Sequence, residues 1–322
     1  MIDEPLFDYD LIAMGRACVD EYFLVSRPGH NNLKIPILDR KICGGGQAAT
    51  SAIIISQLGG KAAYVGNLGQ DSYGELIFRE LTEFGVNTDA IQRPSQFHTP
   101  KALIMVNASN GDRTIYYEKA KRRLPYAIPV EMISKTRSLV LDPDVSLEEL
   151  EKILRAKSGR SFIVYDGERD RPALEAMTQH ADFFIASETL LDMHGTSNRW
   201  ETFEELRSKV KGELVFTFGE EGSVWVRDSQ WIQIPAVPVE KLIDTTGAGD
   251  VFHAAFAFFY PREKDVLKAL KLASFCAAKS TQRLGNREKT NLVTREELQN
   301  LLIQEHVLSQ EEFKLLISSR AQ

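Results

Sequence analysis

The sequence predicts an α/β fold built on a mostly parallel central sheet, and two observations carry that expectation. Short apolar runs of strand length alternate with helix-length stretches along most of the chain, and such alternation favours a parallel sheet covered on both faces. The run Val251-Phe252-His253-Ala254-Ala255-Phe256-Ala257-Phe258-Phe259 has the length and composition of a buried helix, as a large core requires. The 322 residues, 43% hydrophobic and 26% charged, leave room for one large α/β domain or two of ordinary size. No repeat, low-complexity linker or composition shift marks an independent second domain, so residues 1–322 read as a single one.

Residues 10–15 read as the first strand, ending in a glycine turn. Residues 48–58 read as a helix closed by Gly59-Gly60, because glycine accepts the conformation that ends helices. Residues 62–66 are a short strand, and 74–84 a helix stopped at Gly85. Runs at 139–141, 162–165, 183–185 and 214–217 are strands at α/β spacing, each ending near a polar residue or glycine. In open α/β sheets ligands lie beyond the carboxyl ends of the strands, so a site is expected there. Phe256, Phe258 and Phe259 are assigned to core packing.

Two segments break the alternation. Residues 21–26 with 34–42, and 101–106 with 114–118, read as β-hairpin material, the second joined by the turn Asn107-Ala108-Ser109-Asn110-Gly111-Asp112. Both are read as a small β lid, inserted into the α/β core near residues 20–42 and 98–120. The tail from residue 294 carries two capping-box candidates, Thr294 with Glu297 and Ser309 with Glu312, and so two short helices.

Composition excludes several classes of function. A net charge of −6, from 39 basic and 45 acidic residues without a long basic stripe, argues against nucleic-acid binding. The 3 cysteines (Cys18, Cys43, Cys276) are scattered without CxxC spacing, which argues against a disulfide framework or zinc site and points to a reducing cytosol. The first residues lack the basic-then-apolar pattern of a signal peptide, and no apolar run approaches transmembrane length. A cytoplasmic protein with no membrane or nucleic-acid partner is expected.

The most informative stretch is Asp244-Thr245-Thr246-Gly247-Ala248-Gly249-Asp250, placed directly before the buried helix. A Gly-Ala-Gly turn at a helix N-terminus leaves backbone N–H groups pointing outward, where the helix dipole favours an anion. Asp250 lies in the same turn. A carboxylate beside an anion hole suits the removal of a proton from a hydroxyl while the turn steadies a transferring phosphoryl group. Positioning dominates such transfers, so an ordinary aspartate pKa suffices.

This string resembles the carboxy-terminal signature of the ribokinase-like (PfkB) family of sugar and nucleoside kinases, and the resemblance spans nearly the whole chain in matching order. Gly15-Arg16-Ala17-Cys18-Val19-Asp20 looks like the family's first strand and turn, and Gly44-Gly45-Gly46-Gln47-Ala48-Ala49-Thr50 like its amino-terminal signature. Gly66-Asn67-Leu68-Gly69-Gln70-Asp71-Ser72-Tyr73-Gly74 resembles its G-x-x-G-x-D-x-x-G segment, and Thr217-Phe218-Gly219-Glu220-Glu221-Gly222-Ser223 its nucleotide loop. The resemblance implies a three-layer α/β/α fold with a β lid. It implies catalysis by Asp250 with Gly247, Ala248 and Gly249. Sugar would be held by Asp20, Gly45, Gly46, Gln47, Thr50 and the lid's Arg113. Nucleotide would be held by Ser187, Thr217, Gly219, Gly222, Thr246, Gly249 and Asn286. ATP and Mg2+ are implied, the ion carried by water and phosphate oxygens with no protein site assigned, and there is room for a monovalent cation. A homodimer through the lid is also implied, since pairing would cover its open strand edges.

The sequence departs from the family pattern in places. The family's N-x-x-E element appears as Ser187-Glu188-Thr189-Leu190, with Glu188 offset from the missing position, and Thr50 stands where Asn is frequent. The Gly-Gly-Gly-x-Ala-Ala-Thr form and Asp250-Val251-Phe252-His253 look closest to the ketohexokinase and sulfofructose-kinase branch. The basic residues Lys119, Lys121, Arg122 and Arg123 are read as a solvated face, with recognition of an acidic sugar as the alternative. His253, one helical turn past the catalytic turn, is either site-lining or structural. A nucleoside kinase with the same base, and a non-catalytic sugar-sensing member, stay open as other readings.

Overall fold

The computed structural model describes residues 7–27, 29, 33–118, 123–168, 173–192, 198–285, 287–288 and 292–318. The chain begins with β1 (Tyr9–Met14), β2 (Cys18–Val25), β3 (Ile37–Gly45), α1 (Gln47–Gln57), β4 (Ala62–Asn67), α2 (Ser72–Glu83) and β5 (Ile91–Gln92). Next come β6 (Lys101–Asn107), β7 (Arg113–Tyr117), α3 (Val130–Ser134), β8 (Thr136–Leu141), α4 (Leu147–Ala156), β9 (Phe162–Gly167), α5 (Leu174–His180) and β10 (Phe183–Ser187). The remainder is α6 (Arg199–Lys209), β11 (Glu213–Thr217), β12 (Ser223–Arg227), β13 (Gln230–Ile234), α7 (Ala248–Glu263), α8 (Val266–Ser280), α9 (Arg295–Gln299), β14 (His306–Leu308) and α10 (Gln310–Ser318).

The main sheet has the order β14-β13-β12-β11-β10-β9-β8-β1-β4-β5. From β11 to β5 every pairing is parallel. Its strands read as continuous apolar runs because both faces are covered. Alternate residues feed two cores: Leu11 and Ala13 pack with α1, α7 and α8, whereas Ile12 and Met14 pack with α4, α5 and α6. The run 251–259 is buried throughout, within α7.

The three antiparallel strands β12, β13 and β14 were not anticipated. β12 and β13 carry the aromatic and β-branched alternation of strands, and their two-residue connection places Asp228 at φ 53. The tail holds a strand between its two helices, at the outer edge of the sheet. Both capping boxes form. Thr294 and Glu297 exchange bonds, as do Ser309 and Glu312.

The two hairpins join into one four-stranded lid, β3-β2-β6-β7, through a parallel β2–β6 pairing. Register puts Asp20, Tyr22, Cys43, Ala102 and Ile104 on one face, where Tyr22, Cys43, Ala102, Ile104 and Val106 form a small core with Leu284. No helix among the described residues is long and apolar enough to cross a membrane.

Candidate active site

Parallel packing brings the carboxyl ends of β1, β8, β9 and β10 to one edge, where α1 and α7 begin. A chain of contacts ties these ends together. The Arg16 backbone N–H donates to Asp142 (3.1 Å), and its side chain pairs with Asp144 (2.8 Å) and donates to Gln47 Oε1 (3.3 Å). Gln47, the first residue of α1, donates to Asp166 Oδ2 at 2.6 Å. Asp166 Oδ1 lies 3.6 Å from His253 Nε2 on α7.

The turn before α7 is shaped by Gly247, which takes φ 73 at the helix N-cap with no side-chain cap. A left-handed cap suits glycine because a Cβ there is strained. Asp244 is 1% exposed and fixes the turn from below. Its carboxylate accepts from Thr246 N–H (2.9 Å) and Gly285 N–H (3.0 Å). A Cβ built on Gly249 would meet no atom of the described residues within 4 Å. The outer face of this helix start is therefore open. Asp250 sits half-buried in the same first turn. Burial first, and then the Asp166 carboxylate, push its pKa well up from the usual range, while His253 pulls it down. The neighbouring strand ends bring further carboxylates that spacing along the chain does not reveal.

The start of α1 is also uncapped by a side chain, but it is crowded. Gly46 has φ 87, and a Cβ there would lie 2.7 Å from the Ala17 Cα and the Arg16 carbonyl oxygen. A Cβ on Gly45 would fall 1.9 Å from Asp20 Oδ2, so glycine is what lets the lid carboxylate lie against this backbone. Asp20 is 7% exposed and accepts from Cys18 Sγ (3.1 Å) and Tyr22 Oη (3.4 Å). Burial raises its pKa, against the pull of Cys18 and Arg287. Thr50 is buried with its hydroxyl on Arg287 (3.3 Å).

Arg287 was not foreseen as an anchor. It is buried and donates to the carbonyls of Gly44 (2.6 Å) and Ala49 (3.3 Å), while Glu80 accepts from Gly44 N–H at 2.9 Å. Nothing in its sequence neighbourhood signals this, because its partners lie more than 230 positions away. The pairing of Arg16 with Asp142 and Asp144, and the Asp166–His253 contact, likewise join positions far apart in the chain.

The lid reaches the α7 turn directly. Arg113 Nη1 donates to Thr245 Oγ1 at 2.5 Å, and Thr245 Oγ1 faces the Gly111 carbonyl at 3.4 Å. At the other hairpin Lys41 Nζ donates to the Leu284 carbonyl (2.7 Å).

On the far side of α7, Ser187 and Thr217 are register partners at the ends of β10 and β11. The loop after β11 turns on Gly219 (φ 57) and Gly222 (φ 90). A Cβ on Gly222 would lie 2.1 Å from the Ile234 carbonyl oxygen. Asn286 lies outside the described residues, as do Lys119, Lys121 and Arg122. Arg123 is exposed; it ion-pairs with Glu149, donates to the Asp144 carbonyl (2.8 Å) and covers the Tyr126 ring. In the altered element, Leu190 is fully buried and Glu188 lies 3.5 Å from the buried Arg199. Among the described residues no group of three or more His, Cys, Asp or Glu is arranged to hold a metal ion. A cavity of about 710 Å³, lined by Asp182, Lys211, Glu213, Arg227 and Tyr260, lies where β9, β10 and β11 begin, away from this edge.

Residues 11–292 match the pfkB family carbohydrate kinases. The deoxyribokinase of Salmonella typhi is 28% identical over 257 residues, 76% of this chain and 83% of that protein. The ribokinase of Bacillus subtilis is 28% identical over 265 residues, 80% of this chain and 87% of that one. The structure of Arabidopsis thaliana ribokinase complexed with ribose and ATP superposes with TM-score 0.73 at 22% identity, over 91% of this chain and 98% of that one, and shows the shared fold. These matches define a family and do not single out a branch within it.

Proposed function

The chain belongs to the pfkB family of carbohydrate kinases, and we propose that it transfers a phosphoryl group from ATP to a primary hydroxyl of a small sugar, with Asp250 as general base. One observation carries this reading: α7 starts without a side-chain cap, open at Gly249, with Asp250 in its first turn. Outward N–H groups of Gly247, Ala248 and Gly249 would face the charge that develops on the transferring group. Asp250 would take the proton from the attacking oxygen, and the loose transition state makes alignment the main demand. Asp20, held against Gly45, would accept bonds from sugar hydroxyls, with Gln47 and the Gly46 backbone beside it. Thr50 would act through Arg287, which it touches. Arg113 would close over the donor phosphates from the lid.

Ser187, Thr217, Gly219, Gly222 and Thr246 would line the nucleotide. The open helix start fits phosphate, as the relative solved with ATP makes reasonable. Mg2+ would be carried by phosphate oxygens and water, as this ion prefers. A monovalent cation would have to compete with the two N–H groups on Asp244. The outer lid face carries Ile42 and Tyr116, 52% and 60% exposed, in one row with Leu103. Covering it with a second copy would make a homodimer, which sedimentation would detect.

The test is ADP release with Mg-ATP against ketoses, aldoses, sugar acids, phosphosugars and nucleosides, with Asp250→Asn alongside. A substrate turned over by the parent and not by the variant supports the reading and names the substrate class, sugar or nucleoside. Near-parent turnover by Asp250→Asn sinks the assignment of the base.

A further inference from the structure

His253 is 4% exposed, and both of its ring nitrogens face acceptors. Nδ1 lies 2.7 Å from the Gly249 carbonyl oxygen, inside the catalytic turn. Nε2 lies 3.2 Å from the Ile185 carbonyl oxygen on β10 and 3.6 Å from Asp166 Oδ1 on β9. A neutral imidazole carries one N–H, so in either tautomer one nitrogen would aim a lone pair at an oxygen. Only the imidazolium, with two N–H groups, satisfies both contacts. A buried cation requires a compensating anion, and Asp166 supplies it from the adjacent strand end.

We infer that His253 is a buried imidazolium paired with Asp166, and that its positive charge beneath the Gly247–Asp250 turn favours the carboxylate form of Asp250 against the surrounding carboxylates. The inference rests on Asp250 being the base. His253 touches no substrate in this scheme. It is a positioning residue, acting through the Gly249 carbonyl and through its charge.

The charges facing the pair come from several elements. Asp166 comes from β9, and its second oxygen is held by Gln47 of α1. Asp250 comes from the first turn of α7 itself. Asp142 at the end of β8 and Asp20 on the lid act on Asp250 from further off. Every one of these is a carboxylate, and Arg16 is already matched by Asp142 and Asp144. Among the described residues His253 is thus the cation that lies against Asp166 and acts on Asp250. Its own pKa moves up: burial disfavours the charged ring, but Asp166 and the carbonyls of Gly249 and Ile185 outweigh that penalty.

The sign of the effect follows. Activity is lost as pH falls through the pKa of Asp250. Removing a neighbouring cation raises that pKa, so the acid limb moves to higher pH. An opposite charge at this range shifts a carboxyl by about one unit or more.

Two measurements test the pair. The first is side-chain nitrogen NMR of the intact protein, without substrate, across pH 6 to 9 (roughly the ordinary histidine range and above). The expected signature is two N–H protons on His253, persisting above the pH at which an ordinary histidine loses one. A single N–H at neutral pH overturns the inference, whatever the role of Asp250. The second is the pH profile of kcat for His253→Gln. The expected result is an acid limb displaced upward by about one pH unit and kcat at neutral pH about tenfold lower, recovering partly at alkaline pH. A profile of unchanged shape, merely scaled down, would mean that His253 only packs. If Asp250→Asn keeps full turnover while the NMR signature is present, the base assignment fails and the ion pair stands.

Discussion

Helices α1 and α7 both begin at a glycine with positive φ, both lack a side-chain cap, and both open on the same edge of the sheet, yet they are held in opposite ways. The α1 turn is the continuation of lid strand β3, whose last residue is Gly45. Asp20, Arg287, Glu80 and the backbone of 16–17 crowd it from all sides. The α7 turn belongs to the core; Asp244 and His253 hold it from beneath and Arg113 reaches its Thr245 from the lid, while among the described residues nothing lies over Gly249. Glycine at the α1 start serves the packing of the protein. Glycine at position 249 faces open space among the described residues. In the proposed scheme Asp20 and Gly45 belong to the lid, Gln47 and Thr50 to α1, and Gly247–Asp250 to the start of α7.

The largest expected effect is at the base. Asp250→Asn should lower kcat by about 10³-fold, within the range of general-base removal, and leave nucleotide binding intact by calorimetry. Alanine substitution then separates the two turns. Gly46→Ala forces a left-handed residue and a 2.7 Å overlap with backbone, and should cost about 3 kcal/mol in denaturant unfolding. Gly249→Ala meets no atom and should change stability by less than about 0.5 kcal/mol. It should still reduce kcat/KM for ATP by about tenfold or more, as expected when anion-facing N–H groups are screened. Equal stability losses in both variants would erase the distinction drawn between the turns.

The same contrast explains what the sequence made legible. The elements of the α7 turn are legible because they are contiguous: glycines at a helix start, a carboxylate and a buried apolar run follow one another over residues 247–259. Strand positions were readable because a parallel sheet buried on both faces demands unbroken apolar runs. The lid was readable from turn chemistry at 107–112, although the β2–β6 pairing that fuses its hairpins was not. The support of each turn was hidden, because Arg287 and Asp142 arrive from a loop and a strand end far along the chain. The β14 edge was hidden as well, since three residues carry too little periodicity to mark a strand.

Arg287→Met probes the crowded turn. It removes three donors to the α1 start and leaves the carbonyls of Gly44 and Ala49 without that partner. A loss of about 2 kcal/mol in stability is expected, as for other buried charge-assisted bonds. The KM for sugar should rise more than the KM for ATP, because the disturbed backbone adjoins Asp20 and not the α7 turn. A selective rise in the ATP KM would contradict the division of labour between the two helix starts.

The smallest effect is expected where the lid meets the core. Arg113 is exposed, and its bond to Thr245 (2.5 Å) joins the lid tip to the α7 turn without burial on either side. An exposed bond of this kind contributes about 1 kcal/mol or less, so Arg113→Ala should leave the unfolding midpoint unchanged. What it should alter is closure. With the tip less firmly held, water reaches the open face at Gly249 more often, and ATP hydrolysis without sugar should rise about threefold relative to sugar phosphorylation. Thr245→Val removes the same bond from the core side and keeps the guanidinium. If Arg113 serves only as a latch, the two variants should behave alike. If its charge also faces the phosphates, Arg113→Ala should in addition raise the KM for ATP, and Thr245→Val should not.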